Sequence, residues 1–192
     1  MKCTEILLQD HIIIRRALDI VDGMLRKLDE GQRIEIYDAA TILKFLRVFG
    51  DQYHQAMEET VLFPALLVAV PGDPLLLELV AEYGGERSLV DQIEEALTFR
   101  RGTAFHRSSH QLTSLLRSHC EREGIIVCDL AARYLSQEQD NEISAQFLAN
   151  RHQAETHADL SRLERKYWPR PSLDSLRPDR QDAWAQGSGL YT

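Results

Sequence analysis

Apolar residues recur alternately three and four positions apart along most of the chain, the spacing of helices that bury one face. Gly and Pro interrupt this pattern near Asp29-Glu30-Gly31, at Val70-Pro71-Gly72-Asp73-Pro74, near Arg101-Gly102-Thr103 and near Ser136. Between the breaks the pattern predicts four long helices, at roughly 4–29, 36–69, 74–100 and 103–135. A fifth is expected over about 138–167, and Pro169, Pro171 and Pro178 then mark an irregular tail ending in Gly187-Ser188-Gly189. Pro64 should kink or shorten the second helix, because it removes a backbone donor.

The seams of these helices are apolar until their middles. The first reads Leu7, His11, Ile14, Leu18, Val21, Leu25, Leu28, with His11 its one polar member. The second reads Ala40, Leu43, Gly50, His54, Glu58, Val61, Ala65, with its polar pair in mid-row. The third, Leu76, Leu79, Tyr83, Glu86, Val90, Ile93, Leu97, is interrupted at Tyr83 and Glu86. The fourth, Leu112, Leu116, His119, Glu123, Ile126, Leu130, carries His119 and Glu123 on consecutive seam positions.

In an antiparallel bundle the middles of all four helices lie at one depth, so these groups converge. Burying several carboxylates without a partner is very costly, and a multivalent cation is the simplest remedy. His54 and Glu58 are four apart, as are His119 and Glu123, so each pair offers both side chains on one helix face. Two such pairs plus single ligands from the other helices match the way bundles build di-metal sites. Imidazole with carboxylate suits iron or manganese, and zinc is compatible with it. A single buried histidine is ordinarily a satisfied core residue, and the competing reading is a metal-free polar layer. The recurrence at mid-helix on all four seams favours metal.

Composition narrows the partners. The chain has 192 residues, which suits one core, and only 10 Gly, which favours helices over a sheet sandwich. We expect a bundle domain over 1–168 and a tail over 169–192. A net charge of -8 repels phosphate backbones, so nucleic acid is not an expected partner. No apolar run approaches membrane-spanning length, and no membrane association is expected. Cys3, Cys120 and Cys128 are an odd set without framework spacing. The opening MKCTEILLQDHIIIRR meets charge too early for a signal peptide, so a reducing cytoplasm is expected.

The motifs resemble the hemerythrin-like (HHE cation-binding) family. LLQDHIIIRRALD looks like the family's first helix, with an acidic residue before the ligand His. DQYHQAMEETVLFPALL looks like its second-helix signature, His-x-x-x-Glu-Glu followed by Leu-Phe-Pro, which also accounts for Pro64. RSHCEREGIIV looks like its fourth-helix His-x-x-x-Glu, and the resemblance covers about residues 4–135. It implies an antiparallel four-helix up-down bundle with an added C-terminal helix. It also implies metal ligands at His11, His54, Glu58, His119 and Glu123, with Glu58 and Glu123 bridging. The implied cofactor is two irons per chain, oxo- or hydroxo-bridged, with manganese as the other candidate.

The third helix departs from the family. A ligand His is usual there, but this chain has Glu82-Tyr83-Gly84-Gly85-Glu86-Arg87, with Tyr83 in the His position. We expect Glu86 to replace the missing ligand, and Tyr83 to act at the site by bonding a ligand carboxylate or by binding metal as phenolate. The plainer reading has Tyr83 filling space and Glu86 paired with a nearby Arg. Glu59 reads as a supporting or surface group, and His106, His110, His152 and His157 as surface or boundary residues. Cys120 is expected to point off the metal face and Cys128 to line the core, while Trp168, Trp184 and Tyr191 could dock the tail.

A di-iron pair implies small ligands: dioxygen, peroxide or nitric oxide. Three Glu and a Tyr against three His make this site rich in oxygen donors, which favours ferric iron over reversible dioxygen carriage. Three functions remain open: an oxidase, oxygenase or catalase-like enzyme; a non-catalytic binder or sensor of oxygen, nitric oxide or iron; and a metal-free helical interaction module. Monomer and homodimer are both compatible with the sequence.

Overall fold

The computed structural model describes the backbone of residues 1–154 and 157–168, and their side chains except at 152–154, 157 and 158. The expectations for His152, His157, Trp184, Tyr191 and the 169–192 tail fall outside what is described. The described residues are all-helical: α1 (Lys2–Asp29), α2 (Ile36–Phe45), π1 (Leu46–Gln55), π2 (Glu58–Leu62), α3 (Phe63–Ala69), α4 (Pro74–Thr98), α5 (Gly102–Tyr134), α6 (Gln137–Ala154) and α7 (His157–Tyr167). None of these helices is long and apolar enough to cross a membrane.

Local chemistry sets the ends. After α1 the chain turns at Gly31, with φ of 71°, and the Gly31 and Gln32 amides donate to Leu28 and Lys27 carbonyls at 3.0 and 2.8 Å. That pattern satisfies the last carbonyls of the helix and favours glycine at the left-handed position. The Asp73 carboxylate accepts from the Leu75 and Leu76 amides at 3.0 and 3.1 Å, with Pro74 at the first helical position. Asp140 on α6 accepts from the Lys2 and Cys3 amides at 3.1 and 2.9 Å, so α6 caps α1.

The second expected helix is one rod, but its middle is π-helical. α2, π1, π2 and α3 run on through Ala56 and Met57 without a break. Wider i→i+5 turns shift the phase of the buried face. Ala40 is therefore exposed, while Ala39, Ile42, Phe49 and Tyr53 are buried. Pro64 does not break the rod; it sits in the first turn of α3, directly after π2, where its missing N–H is tolerated.

The rods pack as a helical bundle: α1 contacts α5, α2 and π1, while α4 contacts α5, α2 and π1. The α5 seam holds from Leu112 to Glu123, then slips by one residue, so that Val127 and Ala131 are buried and Ile126 and Leu130 half-buried. The C-terminal part lies on α1. A Cβ at Gly23 would stand 2.0 Å from the Tyr167 carbonyl oxygen, so glycine is what lets α7 approach. Asp38, fully buried, accepts from Arg162 at 2.8 Å, Lys166 at 2.5 Å and the Tyr167 hydroxyl at 2.9 Å. Trp168 docks under Arg26, 4.5 Å from the guanidinium carbon to the ring centre.

Candidate metal centre

Four rods bring their polar seam residues into the core. His11 comes from α1, His54 and Glu58 from the π-helical part of the second rod, Tyr83 and Glu86 from α4, and His119 and Glu123 from α5. All seven are buried. π turns are frequent at functional sites, and here they carry His54 and Glu58.

His11, His54, Glu58 and Glu123 each offer an atom within 4.8 Å of the others'. His11 Nε2 lies 2.8 Å from Glu123 Oε2, and His54 Nε2 lies 2.9 Å from Glu58 Oε1. His119 Nε2 lies 3.7 Å from Glu123 Oε2. Three imidazoles thus present the same nitrogen to two carboxylates, one from each long His-x-x-x-Glu pair.

The Nδ1 atoms of two of the three rings face carboxylates too. His54 Nδ1 lies 3.6 Å from Asp10 Oδ2, and the other Asp10 oxygen lies 3.3 Å from Arg151 on α6. His119 Nδ1 pairs with Glu82 Oε2 at 2.8 Å, and Arg122 donates to that same oxygen at 2.6 Å. Such outer carboxylates fix the ring's tautomer and raise its basicity as a ligand.

Tyr83 donates its hydroxyl to Glu58 Oε2 at 2.7 Å, its ring lying parallel to Phe63 at 6.2 Å. Glu86 stands on the Nδ1 side of His119, 3.5 Å away, and accepts from Gln55 Nε2. It is not paired with Arg87, whose guanidinium goes to Asp51 and Glu59 at 2.6 and 2.7 Å. Glu82, Glu86 and His119 form a second close group beside the first.

The charge balance exposes what the centre lacks. Burial works to raise Glu58, but His54 beside it outweighs that and holds the carboxyl below its ordinary range. Burial and the Glu58 charge push Glu123 well above its range. Burial also raises Glu86. Burial would lower His54, yet Glu58 and Asp10 raise it well above its usual value. Burial and the His54 charge push His11 down to about 3. Burial, then Glu58 and Glu123, drive the Tyr83 phenol strongly upward, so it stays a hydrogen-bond donor. A proton on His54 offsets part of the buried negative charge. Even so, His119 Nε2, Glu58 Oε1, Glu86 Oε1 and Glu123 Oε1 are buried without a hydrogen-bond partner among the described residues. Unpaired buried carboxylate oxygens facing imidazole nitrogens are the donor set that a cation satisfies.

Sequence reasoning noted Asp10 only as the acidic residue before His11 and gave it, Gln55 and Glu82 no part in the site. Asp10 sits one position before a seam residue, and Gln55 is turned inward by the widened π1 turn. Glu82 is part-exposed, as a residue beside the seam should be. Cys120 corrects the expectation that it points away: it is buried and lines a cavity with His54, Glu86 and His119. His106 pairs with Asp29 at 2.8 Å and His110 is exposed, both apart from the centre.

Residues 3–126 match the hemerythrin HHE cation binding domain family. No curated protein and no solved structure matches the chain. The match spans well over half of the 192 residues and takes in every member of the two close groups. The chain therefore belongs to the hemerythrin HHE cation binding domain family.

Proposed function

We propose that this chain is a non-haem di-iron protein that binds dioxygen or peroxide and reacts with it, as an oxidase, oxygenase or catalase-like enzyme. The observation that carries the reading is the convergence of three imidazole Nε2 atoms on Glu58 and Glu123, with buried oxygens left unpaired. On this reading α1, the second rod, α4 and α5 form an antiparallel up-down bundle, with α6 and α7 completing a domain over 1–168. His11, His54, His119, Glu58 and Glu123 would hold the metals. Glu86 supplies the α4 ligand in place of the family's histidine, its unpaired Oε1 turning to the metal from the Nδ1 side of His119 where it now stands. Manganese is the other metal this donor set suits.

The protein's own part is positional. Asp10 and Glu82 face His54 and His119 at Nδ1, which keeps the Nε2 lone pairs directed inward. Tyr83 holds Glu58 in one orientation through its hydroxyl. The aliphatic seams above and below exclude bulk water. When bound, the irons supply electron exchange with the small oxidant. The three unpaired thiols fit a reducing compartment such as the cytoplasm.

One observation favours a second, non-catalytic reading as a sensor. Arg151 on α6, outside the family match, reaches Asp10 and so the edge of His54, which gives the centre a route to a C-terminal output element. A metal-free interaction module leaves the unpaired buried atoms without a reason. Hydrogen peroxide added to iron-loaded protein separates these readings. Repeated turnover of peroxide beyond that of free iron, with or without oxygen release, supports the enzyme, and a single stoichiometric spectral change without turnover supports the sensor. No spectral response at all overturns both.

A further inference from the structure

A narrow cavity runs from the surface to the centre between α1, π1, α4 and α5. Its outer end is formed by Arg47, Gly50, Asp51 and Arg87, all part-exposed. Its walls are aliphatic: Ile14, Leu46, Val90, Leu112 and Leu116. Its inner end is closed by His54, Gln55, Glu86 and His119, with Cys120 beside them. Both Glu86 Oε1 and His119 Nε2 there lack a hydrogen-bond partner among the described residues.

We propose that this cavity is the route to the centre, and that it restricts the centre to uncharged ligands of two or three heavy atoms. The inference rests on the metal-binding reading above and adds its substrate selectivity. Size is the first argument. The cavity measures about 30 Å³, and a single water needs roughly 10–15 Å³ on the same scale. Two water-sized atoms fit, so dioxygen, nitric oxide and hydrogen peroxide pass and an alkyl hydroperoxide does not.

Charge is the second argument. Arg47 is shared between Asp91 and Glu94 at 2.6 and 2.9 Å, and Arg87 between Asp51 and Glu59. Each guanidinium at the mouth is thus outnumbered by carboxylates and offers no net attraction to an anion.

Gly50 is the third. A Cβ there would meet nothing within 4 Å, so no neighbour demands glycine in this helical run. Alanine is the better helix former. An absent side chain at the mouth is what an open passage requires.

The test grows a side chain into that space. In iron(II)-loaded protein, Gly50→Leu should slow nitric oxide association at least tenfold and Gly50→Ala less, with iron content unchanged. Wild-type ferrous protein should be oxidised by hydrogen peroxide at least a hundredfold faster than by tert-butyl hydroperoxide. Each oxidant takes two electrons and two protons, giving two waters or one water and tert-butanol. Cys120 gives a readout without metal: its oxidation by hydrogen peroxide to the sulfenic acid, which releases one water and is labelled with dimedone after unfolding for mass spectrometry, should slow equally in Gly50→Leu. Unchanged association and unchanged Cys120 labelling in Gly50→Leu, or equal rates for the two hydroperoxides, overturn the proposal. Slowed Cys120 labelling in a protein that holds no iron keeps the passage and removes the metal reading instead.

Discussion

Replacing Tyr83 by Phe deletes one oxygen from the core and little else. The ring is fully buried, parallel to Phe63 and 5.3 Å from the His119 ring, and Phe retains those contacts. What is lost is the 2.7 Å hydrogen bond to Glu58 Oε2. A hydrogen bond to a charged group contributes about 1.5–3 kcal/mol, and leaving its acceptor buried and unpaired costs on the same order. Burial gives the carboxylate no access to water as a substitute. In chelator-treated protein we therefore expect a loss of about 2 kcal/mol. For a domain of this size that lowers Tm by roughly 4–8 °C. In iron-loaded protein the metal charge compensates Glu58 directly, and the loss should fall to less than half. Thermal unfolding of wild type and Tyr83→Phe, each with and without iron, reads the difference. An equal Tm loss in both states would refute the idea that metal takes over the role of the phenol. An unchanged Tm in the metal-free state would refute the hydrogen bond's importance.

Three further outcomes are expected. Asp10→Asn keeps the shape but removes the carboxylate facing His54, and should weaken metal retention about 10–100-fold, read as the rate of iron loss to a chelator. Glu86→Ala should lower iron occupancy and change the ferric absorption spectrum; full occupancy with an identical spectrum would show that Glu86 is no ligand. The pH dependence should differ between the two states. His54 is raised in the fold, so its contribution is complete below its unfolded value of about 6.5 and is lost as pH rises through the folded one. Glu123 and Glu86 are also raised, so each binds its proton more tightly in the fold and favours lower pH. His11 is lowered to about 3 and opposes this, adding stability as pH rises to its unfolded value of about 6.5. Metal-free protein should therefore lose Tm above about pH 7, while iron affinity rises over the same range because fewer protons compete. Melting curves at stepped pH, with and without iron, check both signs; a metal-free Tm that climbs with pH over that range contradicts the account.

Much of this fold was legible because the seams are regular and the breaks are marked by Gly and Pro. α1, α4 and α5 start and stop within two residues of the expected ends. The second rod was legible only in extent. A fixed 3.6-residue period places Ala40 inside, whereas the π turns rotate Phe49, Tyr53 and Gln55 into the core. The polar seam residues were found because each interrupts an aliphatic row, a signal that depends only on burial. Asp10 and Glu82 interrupt no row, since they meet the imidazoles from beside the seam. Their part depends on where another helix lies, and spacing within one helix does not carry that. The same holds for Arg151, which reaches from α6 across to Asp10 on α1, and for Cys120, which lines the cavity beside His119.

The central claim is that the buried histidines and glutamates hold metal. Elemental analysis of untagged protein, produced with iron and manganese both supplied, tests it most directly. The account predicts about two iron atoms per folded chain, as bundle di-iron sites hold. A chain that folds with its full helical content and contains no stoichiometric transition metal would contradict it.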